Sequence, residues 1–509
     1  MSKKLSARLQ VGYFDDHIAP CQPCHPKGFQ ANATKPKLSV RLQVEYLNDY
    51  IAPCQPCHPK GFQVNVTKPK VSIAKEQVQT VQSEPLKISS RTCVACSGCE
   101  TSKESVSLPK QSLDEFLSSV NKGNNVIVSL SPQSRASLAV HFGISPLQLF
   151  KKLTTFFKSM GVKAIFDTSC GRDLTLVESC MEFITRYRQK HFVNDERSKS
   201  SLPMIASACP GWISHAEKEL GSYDLPHISA VKSPQQTMGT IIKNYLCRDM
   251  GLRPEEVYHI TVMPCYEKKL EAVRDDFVFQ LETHDEGCGS AANMISEVDS
   301  VLTTEEVLEL IQLKDVDFKS IEESPLDRLL TNINEEGYLF GVRGGSGGYA
   351  ETVFCYAART LFGRQIVGPL NFTTIRNSDF QEVALEVEGK TVLRFALCYG
   401  FSNMTNVVRK LKTGKCDYHF LEIMKCSSGC LNGNGQIIAQ TKQSPKALCQ
   451  LLEALNRENV WEADPFNNPI VRGLYDKWLE QPGSEKAKRF MHTQYHPVEK
   501  NISSQLHNW

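Results

Sequence analysis

Short apolar runs alternate with amphipathic stretches through most of this chain. Val126–Leu130 (VIVSL), Ala164–Asp167 (AIFD), Met204–Ala206 and His259–Met263 (HITVM) have the length and β-branched content of strands. Between them Ala136–Met160, Leu174–Arg188 and Ser233–Asp249 carry apolar residues at three- and four-residue spacing, the period of a helix with one buried face. Further along, Ser300–Thr303 leads into the helical EEVLELIQL, and Gly344–Gly348 (GGSGG) opens a helix through Tyr349–Phe362. Leu385–Phe395 (LEVEGKTVLRF) predicts a β-hairpin turning at Gly389, and Asp417–Met424 (DYHFLEIM) a strand. Strands that alternate with helices form βα units, so the pattern predicts an α/β protein with mainly parallel sheets. The segment beyond about Asn468 is expected to be helical, then irregular to Trp509.

The N-terminal part follows another logic. RLQVGYFDDHIAPCQPCHPKGFQANATKPK, residues 8–37, recurs as RLQVEYLNDYIAPCQPCHPKGFQVNVTKPK, residues 41–70. Two Pro-rich copies with little helical period do not make a solenoid; a local duplication with one redundant copy is the simpler account. The domain reading is therefore a duplicated Cys/Pro-rich segment at 1–70, a polar linker at 71–90, and a cysteine loop with its following helix (QSLDEFLSSVNKG) at 91–120. The α/β domain takes 121–467 and a C-terminal tail 468–509.

Composition narrows the functions. With 509 residues, 41% hydrophobic and 22% charged, the chain reads as an ordinary globular protein of two or more packed units. A net charge of +2 gives no long-range attraction for nucleic acid. No stretch approaches the roughly 18 consecutive apolar residues of a membrane span. The start, MSKKLSARLQ, lacks the apolar core of a secretion signal, and Asp15 and Asp16 weaken a mitochondrial reading. Nineteen cysteines without an export signal point to metal or redox chemistry, since disulfides do not persist in a reducing cytosol. Cys180, Cys247, Cys355, Cys398 and Cys449 stand alone among apolar neighbours and read as small core residues.

The others are grouped. Cys93-x-x-Cys96-x-x-Cys99 wraps three thiolates around one point, with Ala95, Ser97 and Gly98 letting the backbone approach. That suits three corners of a [4Fe–4S] cluster; tetrahedral zinc is the competing reading. Glu-Thr-Ser-Lys follows Cys99, so a fourth ligand must come from elsewhere, with Cys54 and Cys57 or Cys21 and Cys24 as candidates. Cys209 (SACPGW), Cys265 (MPCYEKKLE), and Cys426 with Cys430 (EIMKCSSGCLNGNG) each follow a β-like run and precede a turn or helix. Ligands gather at strand carboxyl ends in open α/β sheets, so these four form a candidate second site.

These segments, with SPQSRAS at 131–137, SPQQTMG at 233–239, RNSDFQEV at 376–383 and MHTQYH at 491–496, resemble the iron-only hydrogenase fold. Specifically, the chain from about residue 91 resembles its eukaryotic relatives in cytosolic iron–sulfur assembly, the Nar family, also called nuclear prelamin A recognition factor-like proteins. The resemblance implies a two-lobed hydrogenase-like fold carrying two [4Fe–4S] clusters, preceded by a small cysteine-loop module. Cys93, Cys96 and Cys99 would hold one cluster with Cys57 (context Gln55-Pro-Cys57) or Cys24 (Gln22-Pro-Cys24); Cys57 is nearer in sequence. Cys209, Cys265, Cys426 and Cys430 would hold the other. Where hydrogenases carry a proton-relaying cysteine, this chain has Ala208, whose methyl group carries no proton, so no enzyme is expected. The implied role is cluster assembly in the cytoplasm, with a minor nuclear pool, between an upstream scaffold, the targeting complex and apoprotein clients. The alternatives are an iron-only hydrogenase or electron-transfer protein, and a prelamin-binding interaction protein.

Other motifs change this little. Lys268 and Glu271 match the family, or simply share a helix face. Gly344–Gly348 lacks the Lys and hydroxyl of a phosphate loop and reads as a tight helix entry, and Asn432–Gly435 as close backbone approach to a ligand. His492 and His496, four apart, have no accompanying acidic motif. Trp509 resembles a terminal docking signal, although His507 and Asn508 replace its usual aliphatic and acidic residues.

Overall fold

A computed structural model of the chain describes residues 111–192, 202–280, 294–342, 346–437 and 444–498. The duplicated segment, the linker and the Cys93–Cys99 loop, with Cys24 and Cys57, lie outside the described residues, as does Trp509.

Two sheets organise the remainder. In the first, β1 (Asn125–Leu130), β2 (Ala164–Asp167), β4 (Val257–Met263) and β5 (Ser300–Thr303) run parallel in the order β2-β1-β4-β5. Nearly every residue of these strands is buried, as expected when helices cover both faces of a parallel sheet. In the second, β3 (Met204–Ala206), β9 (Phe420–Met424) and β8 (Lys390–Tyr399) pair in parallel. β7 (Phe380–Val387) and β6 (Thr373–Asn377) extend that sheet antiparallel, and β7–β8 is the predicted hairpin. The mainly parallel two-lobed architecture is as expected.

Local chemistry sets the helix limits. The stretch 136–160 is two helices, α1 (Pro132–Phe142) and α2 (Pro146–Ser159), rather than one. Gly143 ends the first in the left-handed region at φ 67°, and Ser145 caps the second in a reciprocal box with Gln148, with Pro146 at the first helical position. Helical spacing survives the break, which hid it. α3 (Thr168–Phe192) is the long helix between the lobes' strands β2 and β3. α4 (Pro210–Glu219) follows β3, α5 (Pro234–Ile241) precedes β4, and α6 (Glu267–Ala272) follows it. α7 (Tyr349–Phe362) starts after the glycine loop, as predicted, and α8 (Pro445–Asn459) lies beyond the last cysteines.

The C-terminal segment is core, not appendage. Val471, Leu474, Trp478, Leu479 and Met491 pack with Ile127, Phe166, Leu174 and Met238. Of the isolated cysteines, Cys180, Cys247, Cys398 and Cys449 are buried as read; Cys355, on α7, is only partly so.

Candidate metal centre

Cys209, Cys265, Cys426 and Cys430 line one small cavity. The cavity lies between the lobes: Cys265 follows β4 of the first sheet, and the other three follow β3 and β9 of the second. β3 and β9 are paired neighbours (Ala206 opposite Glu422), so their carboxyl ends deliver Cys209 and the Cys426–Cys430 turn side by side.

Each cysteine is held by its surroundings. Cys209 is the N-cap of α4, its N–H donating to Ser207 Oγ at 3.0 Å while that hydroxyl donates to the Ile423 carbonyl at 2.5 Å. The Lys425 main-chain N–H points to Cys209 Sγ at 3.5 Å. The Cys265 turn is clasped by the NGNG segment: Tyr266 N–H donates to Asn434 Oδ1 at 3.0 Å, and Gly435 N–H to the Pro264 carbonyl at 3.0 Å. A Cβ on Gly433 would sit 2.2 Å from that carbonyl oxygen. The close approach expected towards a ligand is instead made to the backbone of the Cys265 turn. The Cys426–Cys430 turn needs Ser428 at φ 60° and Gly429 at φ 70°, and Asp379 secures it by accepting from Ser428 N–H at 2.8 Å and from the Ser427 hydroxyl.

The glycine loop packs against this turn. Ser346 Oγ accepts from Leu431 N–H at 3.3 Å and touches the site of any Gly429 side chain. Gly347, at φ 57°, leaves room for Glu422, whose carboxylate accepts from Ala350 N–H and Tyr399 Oη at 2.8 Å each. The helix entry thus wraps the protein's own buried carboxylate.

Burial raises the pKa of all four thiols, and their mutual proximity raises it further at Cys265, Cys426 and Cys430; Cys430 reaches about 12. Two ammonium groups oppose this: Lys268 acts on Cys430 and Cys209, and Lys425 on Cys426. Lys268 is buried, its Nζ 2.6 Å from Glu271 Oε2 and 3.1 Å from Ser233 Oγ. Gln235 Nε2 donates to the same Glu271 oxygen at 3.1 Å. The pair shares the face of the helix Glu267–Ala272, as read, and that face is a buried network beside the cavity with SPQQTMG supplying its partners. Ala208 is part of the cavity wall.

Four thiols that must ionise together beside two cations match a cationic metal group that relieves their repulsion. Among the described residues no three His, Cys, Asp or Glu side chains close on a point suited to a single ion. The four sulfurs instead line one cavity from three separate turns. His492 and His496 do not share a helix: His492 follows the helix Glu485–Met491 and faces Glu178, while His496 is exposed near Asp276. Asp379, Ser207, Asn434 and Ser346 lie inside the motifs RNSDFQEV, SACPGW, NGNG and GGSGG, but nothing in those motifs pointed to them as supports of the cysteine turns.

Known proteins share this architecture. The family model for the iron only hydrogenase large subunit, C-terminal domain, matches residues 124–434, and that for the iron hydrogenase small subunit matches 457–498. Protein NAR1 of Arabidopsis thaliana is 59% identical over 510 residues, covering 100% of both chains. Cytosolic iron-sulfur assembly component 3 of Mus musculus is 44% identical over 440 residues, 85% of this chain and 88% of that one. Among solved structures, an apo [FeFe]-hydrogenase variant from Chlamydomonas reinhardtii superposes with a TM-score of 0.60 at 26% identity, over 74% of this chain and 94% of that one.

Proposed function

The chain belongs to the Nar family of hydrogenase-like cytosolic iron–sulfur assembly factors, and from that premise we propose that it binds two [4Fe–4S] clusters and hands clusters on to apoproteins. As a component of the cytosolic assembly machinery it works in the cytoplasm, between an upstream scaffold and the targeting complex. One observation carries the reading: thiols from three separate connections, on two sheets, meet in one cavity.

Cys209, Cys265, Cys426 and Cys430 are the ligands of the cluster between the lobes, which when bound supplies one-electron chemistry or a transferable iron–sulfur unit. Ser207, Asp379 and Asn434 orient the ligand turns, and Lys268 and Lys425 offset the thiolate charge. Cys93, Cys96 and Cys99, with Cys57 or Cys24, hold the other cluster. Ala208 stands at the place of a proton donor and has no proton to give, so the site does not turn over hydrogen.

The test is iron and acid-labile sulfide per chain after anaerobic purification. Wild type should carry about eight of each, Cys209→Ala and Cys430→Ala about half, and one of Cys24→Ala and Cys57→Ala about half. Bound zinc without sulfide would overturn the reading, and hydrogen evolution under anaerobic reductant would overturn its non-enzymatic part.

A further inference from the structure

Lys425 is an unusual residue to find beside this cavity. Its ammonium is withdrawn from water, the side chain only 7% exposed, and it is paired with Glu267 Oε1 at 3.2 Å. The backbone does not need that side chain, because the Lys425 contribution to the ligand turn is its main-chain N–H. A buried ammonium pays a desolvation penalty that only a well-placed partner offsets.

Two further features surround the pair. The partners come from opposite lobes: Glu267 opens α6 after β4 of the first sheet, and Lys425 directly follows β9 of the second. Both line the cavity of the four cysteines, so the ion pair spans the boundary that the cavity occupies. The stem of Lys425 also crosses the first turn of α4 at Gly211, where a Cβ would lie 2.6 Å from Lys425 Cδ. That glycine lets the side chain lie flat across the helix start beside Cys209.

We propose that Lys425 and Glu267 form a latch between the lobes, closing the four-cysteine cavity and setting how fast an iron–sulfur group enters or leaves it. The latch rests on the cluster-binding reading for its biological meaning, but not for its geometry. Parting the lobes far enough to pass a cubane breaks this ion pair together with the clasp of Asn434 and Gly435 on the Cys265 turn, and of these contacts only the ion pair can be removed by a side-chain change that leaves the ligand turns intact. The pair therefore contributes to the opening barrier and not to the choice of ligands.

The experiment uses the full chain in both states. In the metal-free chain, alkylation of Cys209, Cys265, Cys426 and Cys430 by iodoacetamide is followed residue by residue with mass spectrometry. In the iron-loaded chain, iron loss to a ferrous chelator is timed anaerobically. Lys425→Met keeps the stem and removes the charge; Glu267→Gln keeps the shape and removes the partner. Each should speed alkylation and iron loss on the order of tenfold, the scale of one charge-assisted hydrogen bond. The double variant should be no faster than the faster single, because the two residues act as one unit. Unchanged rates, or effects that multiply in the double variant, overturn the latch. Cys247, buried in a separate cluster, is the internal control: a parallel rise there means global opening and also overturns it. Should Cys209→Ala leave bound iron unaltered, the cluster reading fails, while the alkylation arm still decides the latch.

Discussion

Asp173 is buried on α3, where its Oδ2 accepts from Asn332 Nδ2 at 2.9 Å and Asn468 Nδ2 at 2.8 Å. Burial raises its pKa to about 6 against the pull of Arg172. The folded chain thus holds this proton to a higher pH than the unfolded chain, which releases it near 3.8. The linkage sign follows: the folded state is favoured below about 4, and that advantage is lost as pH rises to about 6. Asp173→Asn keeps an acceptor for both amides and cannot ionise. Its urea midpoint should gain on wild type between pH 4 and 6 and run level above that; a constant difference across the range would contradict the assignment. At this scale the sequence pointed to the cysteines that line the cavity but not to the residues that support them. Cys-rich turns and Ala208 carry their chemistry in their identity, whereas Asp379 is an ordinary surface-type residue until the fold sets it against Ser428, 49 positions away.

Among elements, the turns matter more than the regular segments. The NGNG segment bears on the Cys265 turn through backbone, so the oxygen that a Gly433 side chain would strike has no flexible end to swing away. Gly433→Ala should therefore displace that turn and cost the inter-lobe site its iron, lowering total iron by about half on the two-cluster account. Gly473→Ala is the contrast, since nothing lies within 4 Å of its Cβ position; iron should hold and helix stability rise by roughly 0.5–1 kcal/mol. Equal iron loss in both would deny the turn its role. Strands were legible because period and β-branching are local. The break at Gly143 was not, because α1 and α2 both carry apolar residues at helical spacing and only a φ of 67° separates them. The short π-helical turns at Ile242–Leu246 and Tyr475–Leu479 likewise keep an apolar face that reads as continuous helix.

For the whole molecule, the C-terminal helices complete the first lobe. Leu479 and Met491 are fully buried, and each such side chain contributes roughly 1.5–3 kcal/mol by leaving water. A chain ending at Asn467 should lose cooperative unfolding and aggregate; a soluble remainder with a sharp thermal transition would show the lobe stands alone. Fold class was readable from alternating strands and helices, and the four cysteines were read as one candidate site, but the strand pairing that brings them together was not. Their meeting depends on β3 lying beside β9, a pairing of Ile205 with Leu421 that no local window contains. That long-range pairing also orders events during synthesis. Cys209 and Cys265 leave the ribosome while the strand that brings Cys426 and Cys430 is still unmade, and the helices that finish the first lobe come later still. The nascent protein therefore carries half of this set of thiols while about a third of the chain, from Cys265 to Cys426, is still being made. All four thiols can meet only once the strand Phe420–Met424 is made, so on the proposed function newly made protein passes through a metal-free interval whose length is a matter of supply.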